Sequence, residues 1–146
     1  MARGARLQLL SQYENIELAE HMLSELCEAE GVNSEVRYWV GMALREALAN
    51  AIKHGNQLNP ERRVLLEIRV DAPREVVLVV EDEGDGFDPA SLADPTDPNN
   101  LLRSSGRGVY YMRHFMDEVR FQPGAKGGTR IELIRKLGGR DEEPHS

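Results

Sequence analysis

Four short clusters in the chain combine residue types that could do chemistry. The first is Glu46-x-x-x-Asn50-Ala-Ile-Lys53-His54. Carboxylates and amides at helical spacing are commonplace on solvated helix faces, where residues four apart are neighbours. The same pair also suits a metal–phosphate site. An asparagine carbonyl is a hard oxygen ligand for Mg²⁺, which keeps several waters and borrows phosphate oxygens for the rest. A carboxylate one turn away can take a proton from an attacking hydroxyl or water. Lys53 then falls on the same face and can meet a phosphate as a point charge. His54, at the helix end, reads as a cap or packing residue.

The second cluster is Asp82-Glu83-Gly84-Asp85-Gly86-Phe87. It could be no more than a turn after a strand. A calcium loop fails: with Gly86 at the sixth position, Leu92 occupies the twelfth, where a bidentate glutamate is required. The alternative is a nucleotide-base pocket. An aspartate fixed at a strand end can accept a hydrogen bond from an adenine amino group, with flanking glycines letting the backbone approach closely. The third cluster, Gly106-Arg107-Gly108, opens a helix and resembles a phosphate cradle of outward N–H groups. It is not the dinucleotide fingerprint, because Tyr111 stands where the third glycine belongs. Arg107 could be plain solvated surface or could stabilise a terminal phosphate. The fourth, Gly128-Thr129, closes a GAKGGT run that lacks the Gly-Lys-Ser/Thr of a P-loop.

These clusters must be positioned by a small scaffold. The chain has 146 residues, 25 acidic and 18 basic, for a net charge of −7. That length favours one domain, and roughly two thirds of the unfolded surface can be buried without disulfide or metal. The acidic balance speaks against sequence-independent binding to nucleic-acid phosphates. Cys27 is the single cysteine, which excludes an intrachain disulfide and a cysteine-rich zinc site and fits a reducing cytoplasm. The first ten residues carry no apolar stretch of about 7–15 residues, so a secretory leader is not expected. The longest apolar run, Val76–Val80, is far short of the roughly 20 residues of a membrane helix.

Periodicity predicts a strand over Arg6–Leu10 and a helix over Asn15–Glu30. The helix carries Ala19, Met22, Leu23, Leu26 and Cys27 on one stripe and stops at Gly31. A longer helix, capped by Asn33 or Ser34, is expected to run to about Lys53, with Val40, Leu44, Leu48 and Ala51 inward. Gly55–Glu61 is a stop. Arg63–Val70 alternates as a half-buried strand, and Glu75–Val80 reads as a central strand covered on both faces or nearly so. The prolines and aspartates of Asp88–Ser105 have the character of a functional lid or a disordered segment. A third helix is expected over Gly106–Asp117, with Met112, Phe115 and Met116 in the core. Val119–Phe121 and Thr129–Arg135 then form a last hairpin. Trp39 and Tyr38 are assigned to packing or subunit contacts. The expected fold is α+β: a two-layer α/β sandwich with a mixed, mostly antiparallel sheet and helices on one face. The domain is placed at residues 1–137, with 138–146 a frayed tail.

The joint order of the clusters resembles the Bergerat-fold (GHKL) ATP-binding superfamily, which includes gyrase, sensor histidine kinases and mismatch-repair MutL. Its N box matches Glu46 to His54, its first glycine box Asp82 to Phe87, and its second Gly106 to Met112. Within it the chain looks most like the stand-alone anti-sigma-factor serine/threonine kinases of bacteria. That resemblance implies ATP and Mg²⁺ as ligands and Glu46 as general base towards a substrate serine. Asn50 would hold Mg²⁺, with Lys53 near the phosphates. Asp82 would read adenine with help from Gly84, Gly86 and Thr129, and Gly106, Arg107 and Gly108 would cover the phosphates under a lid over residues 88–105. It also implies an anti-anti-sigma-type substrate protein, a sigma factor as second partner, a cytoplasmic location, and a homodimer formed through the first strand. The alternative of the same fold is a non-catalytic, nucleotide-gated binding module. An autonomous histidine kinase is a poor match, because no spare helical hairpin presents a phosphoacceptor histidine.

Overall fold

The computed structural model describes residues 2–84 and 108–138. Its elements run β1 (Ala2–Leu10), α1 (Glu14–Ala29), α2 (Ser34–Ala49), a π-helical segment (Asn50–Gly55), β2 (Arg63–Asp71), β3 (Glu75–Glu81), α3 (Gly108–Phe115), β4 (Glu118–Pro123) and β5 (Thr129–Lys136). The strands form one sheet in the order β1-β2-β3-β5-β4. Every strand pair in it is antiparallel, so the expected mixed character is absent among the described residues.

Alternation sets the register. Leu9 opposes Val64, Leu66 opposes Val80, Ile68 opposes Leu78, and Leu78 opposes Leu133. Because successive side chains point to opposite faces, this register collects the apolar set on one side. There it meets Ala19, Leu23 and Cys27 of α1 and Val40, Leu44 and Leu48 of α2, all buried in one continuous core. Burial pushes the Cys27 thiol up to about 11, opposed by Arg37, so this cysteine is an inert core residue. Met112 and Met116 join the core, and the Trp39 ring stacks on Phe115 at 4.9 Å, tying α2 to α3.

The helix ends follow local chemistry. Asn33 caps α2, accepting a hydrogen bond from the Val36 N–H at 3.0 Å. Gly31, at φ 74°, ends α1, and the Val32 N–H returns to the Cys27 carbonyl at 2.9 Å. One expectation needs correction. The second helix does not continue as an α-helix to Lys53: it turns π-helical at Asn50. The expectation for β3 holds: Val76 to Val80 are all buried, so the strand is covered on both faces. Val77 and Val79 form a separate small cluster with Ile134 on the outer face. That face is otherwise laced by ion pairs such as Arg69–Glu75 (3.3 Å), Arg120–Glu132 (3.0 Å) and Arg130–Glu81 (3.4 Å). No helix among the described residues is long and apolar enough to cross a membrane.

Candidate functional site

Asp82 follows the last residue of β3 and is 4% exposed. Its Oδ1 accepts hydrogen bonds from the Gly84 N–H at 2.9 Å and the Thr129 N–H at 3.1 Å. The Asp82 N–H in turn donates to the Thr129 carbonyl at 3.0 Å. Burial raises the carboxyl above its ordinary 3.8, and the two N–H donors oppose that rise. The carboxylate is therefore held at one oxygen by the backbone in a nearly dry setting.

Three glycines make room for it. A Cβ on Gly55 would lie 2.2 Å from Asp82 Oδ2, one on Gly128 2.0 Å from the Asp82 carbonyl oxygen, and one on Gly84 1.9 Å from the Gly55 carbonyl oxygen. No other residue type fits at Gly84 or Gly128 without moving backbone, and none fits at Gly55 without displacing the Asp82 carboxylate. In the sequence Gly55 reads only as a helix stop, and Gly128 carries no role of its own. No local pattern marks them, because their constraint comes from Asp82, which lies far away in sequence.

Gly55 also joins two clusters. It ends the π-helical segment that starts at Asn50, so the Asn50 turn abuts the Asp82 loop. Glu46 lies one α-helical turn earlier and is half-buried. Burial raises its carboxyl above the ordinary 4.5, with Arg45 opposing. Arg45 itself is engaged by Glu20 through two hydrogen bonds of 3.1 and 3.0 Å. Such a raised, partly dehydrated carboxylate is suited to taking up a proton.

Lys53 is exposed, and among the described residues no ion pair engages it. It lies within the π-helical segment, beyond the α-helix that carries Glu46. Desolvation and the neighbouring Lys53 hold His54 below its ordinary 6.5. Gly108 begins α3, whose last turn carries the basic Arg113 and His114. Gly86, Gly106, Arg107 and the 88–105 segment lie outside the described residues.

The arrangement thus gathers Asp82, Gly84 and Thr129 in one hydrogen-bonded unit and sets the end of the Glu46–His54 helix against it. It offers a fixed acceptor at the strand end and a proton-accepting carboxylate on the helix. Among the described residues no cluster of three or more His, Cys, Asp or Glu could hold a metal ion. A hard cation here would depend on the Asn50 amide oxygen together with ligand oxygens.

Residues 9–135 match the model of the histidine kinase-like ATPase domain family. An anti-sigma F factor of Heyndrickxia coagulans is 33% identical over 96 residues, which is 63% of this chain and 64% of that protein. The match thus spans just under two thirds of that relative's length. An anti-sigma F factor of Clostridium novyi is 29% identical over 135 residues, 90% of this chain and 93% of that protein. Among solved structures, the RsbU and RsbW domains of Rv1364c from Mycobacterium tuberculosis superpose with a TM-score of 0.63 at 16% identity, covering 92% of this chain and 32% of that one. The SiaB–SiaC complex from Pseudomonas aeruginosa gives a TM-score of 0.61 at 15% identity, covering 91% and 89%.

Proposed function

Because the chain belongs to the histidine kinase-like ATPase domain family, we propose that it is an ATP-binding, anti-sigma-factor-like protein serine/threonine kinase. It would phosphorylate a small anti-anti-sigma-type partner and sequester a sigma factor in a partner switch. The observation that carries the nucleotide reading is the Asp82 cradle: a buried carboxylate held by two backbone N–H groups and enclosed by three glycines. A fixed, dry acceptor of that kind matches the amino edge of adenine. The similarity to proteins named anti-sigma F factor supports the partner class.

In this reading Asp82 accepts from the adenine amino group, with Gly84, Gly86 and Thr129 beside it. Asn50 supplies the amide oxygen for Mg²⁺, and Lys53 neutralises phosphate charge. Gly106, Arg107 and Gly108 cover the phosphates. When bound, the magnesium ion neutralises developing charge on the phosphate oxygens. Glu46 takes the proton of the partner's serine hydroxyl as that oxygen bonds to the γ-phosphorus. The bond from the γ-phosphorus to the β–γ bridging oxygen breaks, and ADP leaves. Phosphoryl transfer rests mostly on positioning and charge neutralisation, so few protein groups are required.

The test is phosphate transfer from labelled Mg·ATP to a cognate partner, captured from source-cell lysate in Mg·ATP and again in Mg·ADP. Glu46→Ala is expected to keep nucleotide binding and lose about 10²–10⁴-fold in transfer. Transfer by that variant at the wild-type rate would remove Glu46 as base. Nucleotide-dependent capture without any phosphate on the partner would leave a gated binding module instead. We further propose a homodimer through β1, an edge strand that pairs on its outer side with no other strand among the described residues. Sedimentation equilibrium should then give twice the 16.4 kDa of the monomer.

A further inference from the structure

Asn56 directly follows the π-helical segment and is 0% exposed. Its side chain serves three separate stretches of chain. Nδ2 donates to Ser11 Oγ at 2.9 Å and to the Arg63 carbonyl at 3.0 Å. Oδ1 accepts from the Glu83 N–H at 2.8 Å. Its main-chain N–H donates to the Ala51 carbonyl at 2.8 Å, closing the π turn. Both amide hydrogens and the amide oxygen are thus engaged, as a buried asparagine requires. Ser11 passes the connection on, donating from Oγ to the Arg62 carbonyl at 2.6 Å.

The next two residues, Gln57 (φ 54°) and Leu58 (φ 57°), are left-handed although neither is glycine. Such backbone persists only where its surroundings over-determine it. The Asn56 bonds, together with the Leu58 N–H to Ile52 carbonyl bond at 2.8 Å, provide that determination.

Glu83 stands between Asp82 and Gly84. Fixing the Glu83 N–H fixes the peptide that carries Asp82 and hence the Gly84 N–H that holds Asp82 Oδ1. We propose that Asn56 is a positioning residue for nucleotide selection: it clamps the Asp82 loop to the end of the helix bearing Glu46 and Asn50. Asn56 touches no substrate and acts through Asp82, so the inference rests on the reading of Asp82 as the adenine acceptor.

The clamp sets where the acceptor lies and leaves the base untouched. Asn56→Ala is therefore expected to raise the KM for ATP about tenfold and to cut the preference for ATP over GTP by a similar factor. The kcat at saturating ATP should stay within about threefold. Ser11→Ala is the control. It loosens the same polar cluster but keeps the Glu83 bond, so it should lower the melting temperature and leave KM and nucleotide preference unchanged.

Wild-type protein and Asp82→Asn are titrated alongside. Absence of ATP binding by wild type would overturn the pocket reading and this proposal with it. ATP binding by wild type that is lost in Asp82→Asn, together with wild-type KM and preference in Asn56→Ala, would overturn this proposal alone. Equal changes in KM for Asn56→Ala and Ser11→Ala would also overturn it, since they would mark a general loss of stability. If Asn56→Ala does not fold, amide exchange of Glu83 in the wild-type protein decides. Slow exchange that slows further with ATP supports the clamp, and free exchange in the folded protein overturns it.

Discussion

In the proposed function two carboxylates, Glu46 and Asp82, carry the chemistry, and burial moves both in the same direction. Glu46 is raised above 4.5 mainly by desolvation, so it is ionised and able to take a proton only at a pH above that raised value. Transfer activity should fall as pH drops through an inflection above 4.5, and a pH–rate profile with its acid limb at or below that value would argue against Glu46 as base. Asp82 has a different consequence. Its folded-state pKa is raised above 3.8, so the folded chain binds its proton more tightly than the unfolded chain. Its contribution to stability is greatest below 3.8 and is lost as pH rises from there through the raised value. Asp82→Asn lacks this titration. The melting temperature of Asp82→Asn relative to wild type should climb across that window and then level off, while ATP binding is lost. A pH-independent gap would contradict the linkage.

At the scale of elements, α2 and the turn that ends it do most of the positioning. The helix buries Val36, Val40, Ala43, Leu44, Ala47 and Leu48 in the common core. Its π-helical continuation then delivers Gly55 to Asp82 and Asn56 to Glu83. Two glycines of this stretch make a contrast. A Cβ on Gly41 would meet nothing within 4 Å, so Gly41→Ala should stabilise the helix by about 0.5–1 kcal/mol. A Cβ on Gly55 would run into the Asp82 carboxylate, so Gly55→Ala should cost about 1–3 kcal/mol and weaken ATP binding as well. Urea unfolding of the two variants, with nucleotide titration of each, checks both signs.

For the molecule as a whole, one core under a single sheet face carries stability, and the site sits at one end of it. Leu48, 0% exposed, belongs to that core. Leu48→Ala should cost about 2–5 kcal/mol, seen as a lower urea midpoint at unchanged slope. A changed slope would mean that the sheet and helices do not unfold together. The sequence by itself determined the order of strands and helices, the inward stripes of α1 and α2, the alternation of β2, and the residue types at Glu46, Asn50 and Asp82. These are properties of local periodicity and chemistry, legible in a few consecutive residues. Tertiary structure alone decided the π turn at Asn50, the closeness of Gly55 and Gly128 to Asp82, and the role of Asn56. Each of those rests on groups brought together from afar, 27 residues apart for Asn56 and Glu83 and 45 for Asn56 and Ser11. A buried polar group takes its partners from whatever the fold places beside it, and no spacing along the chain records that choice.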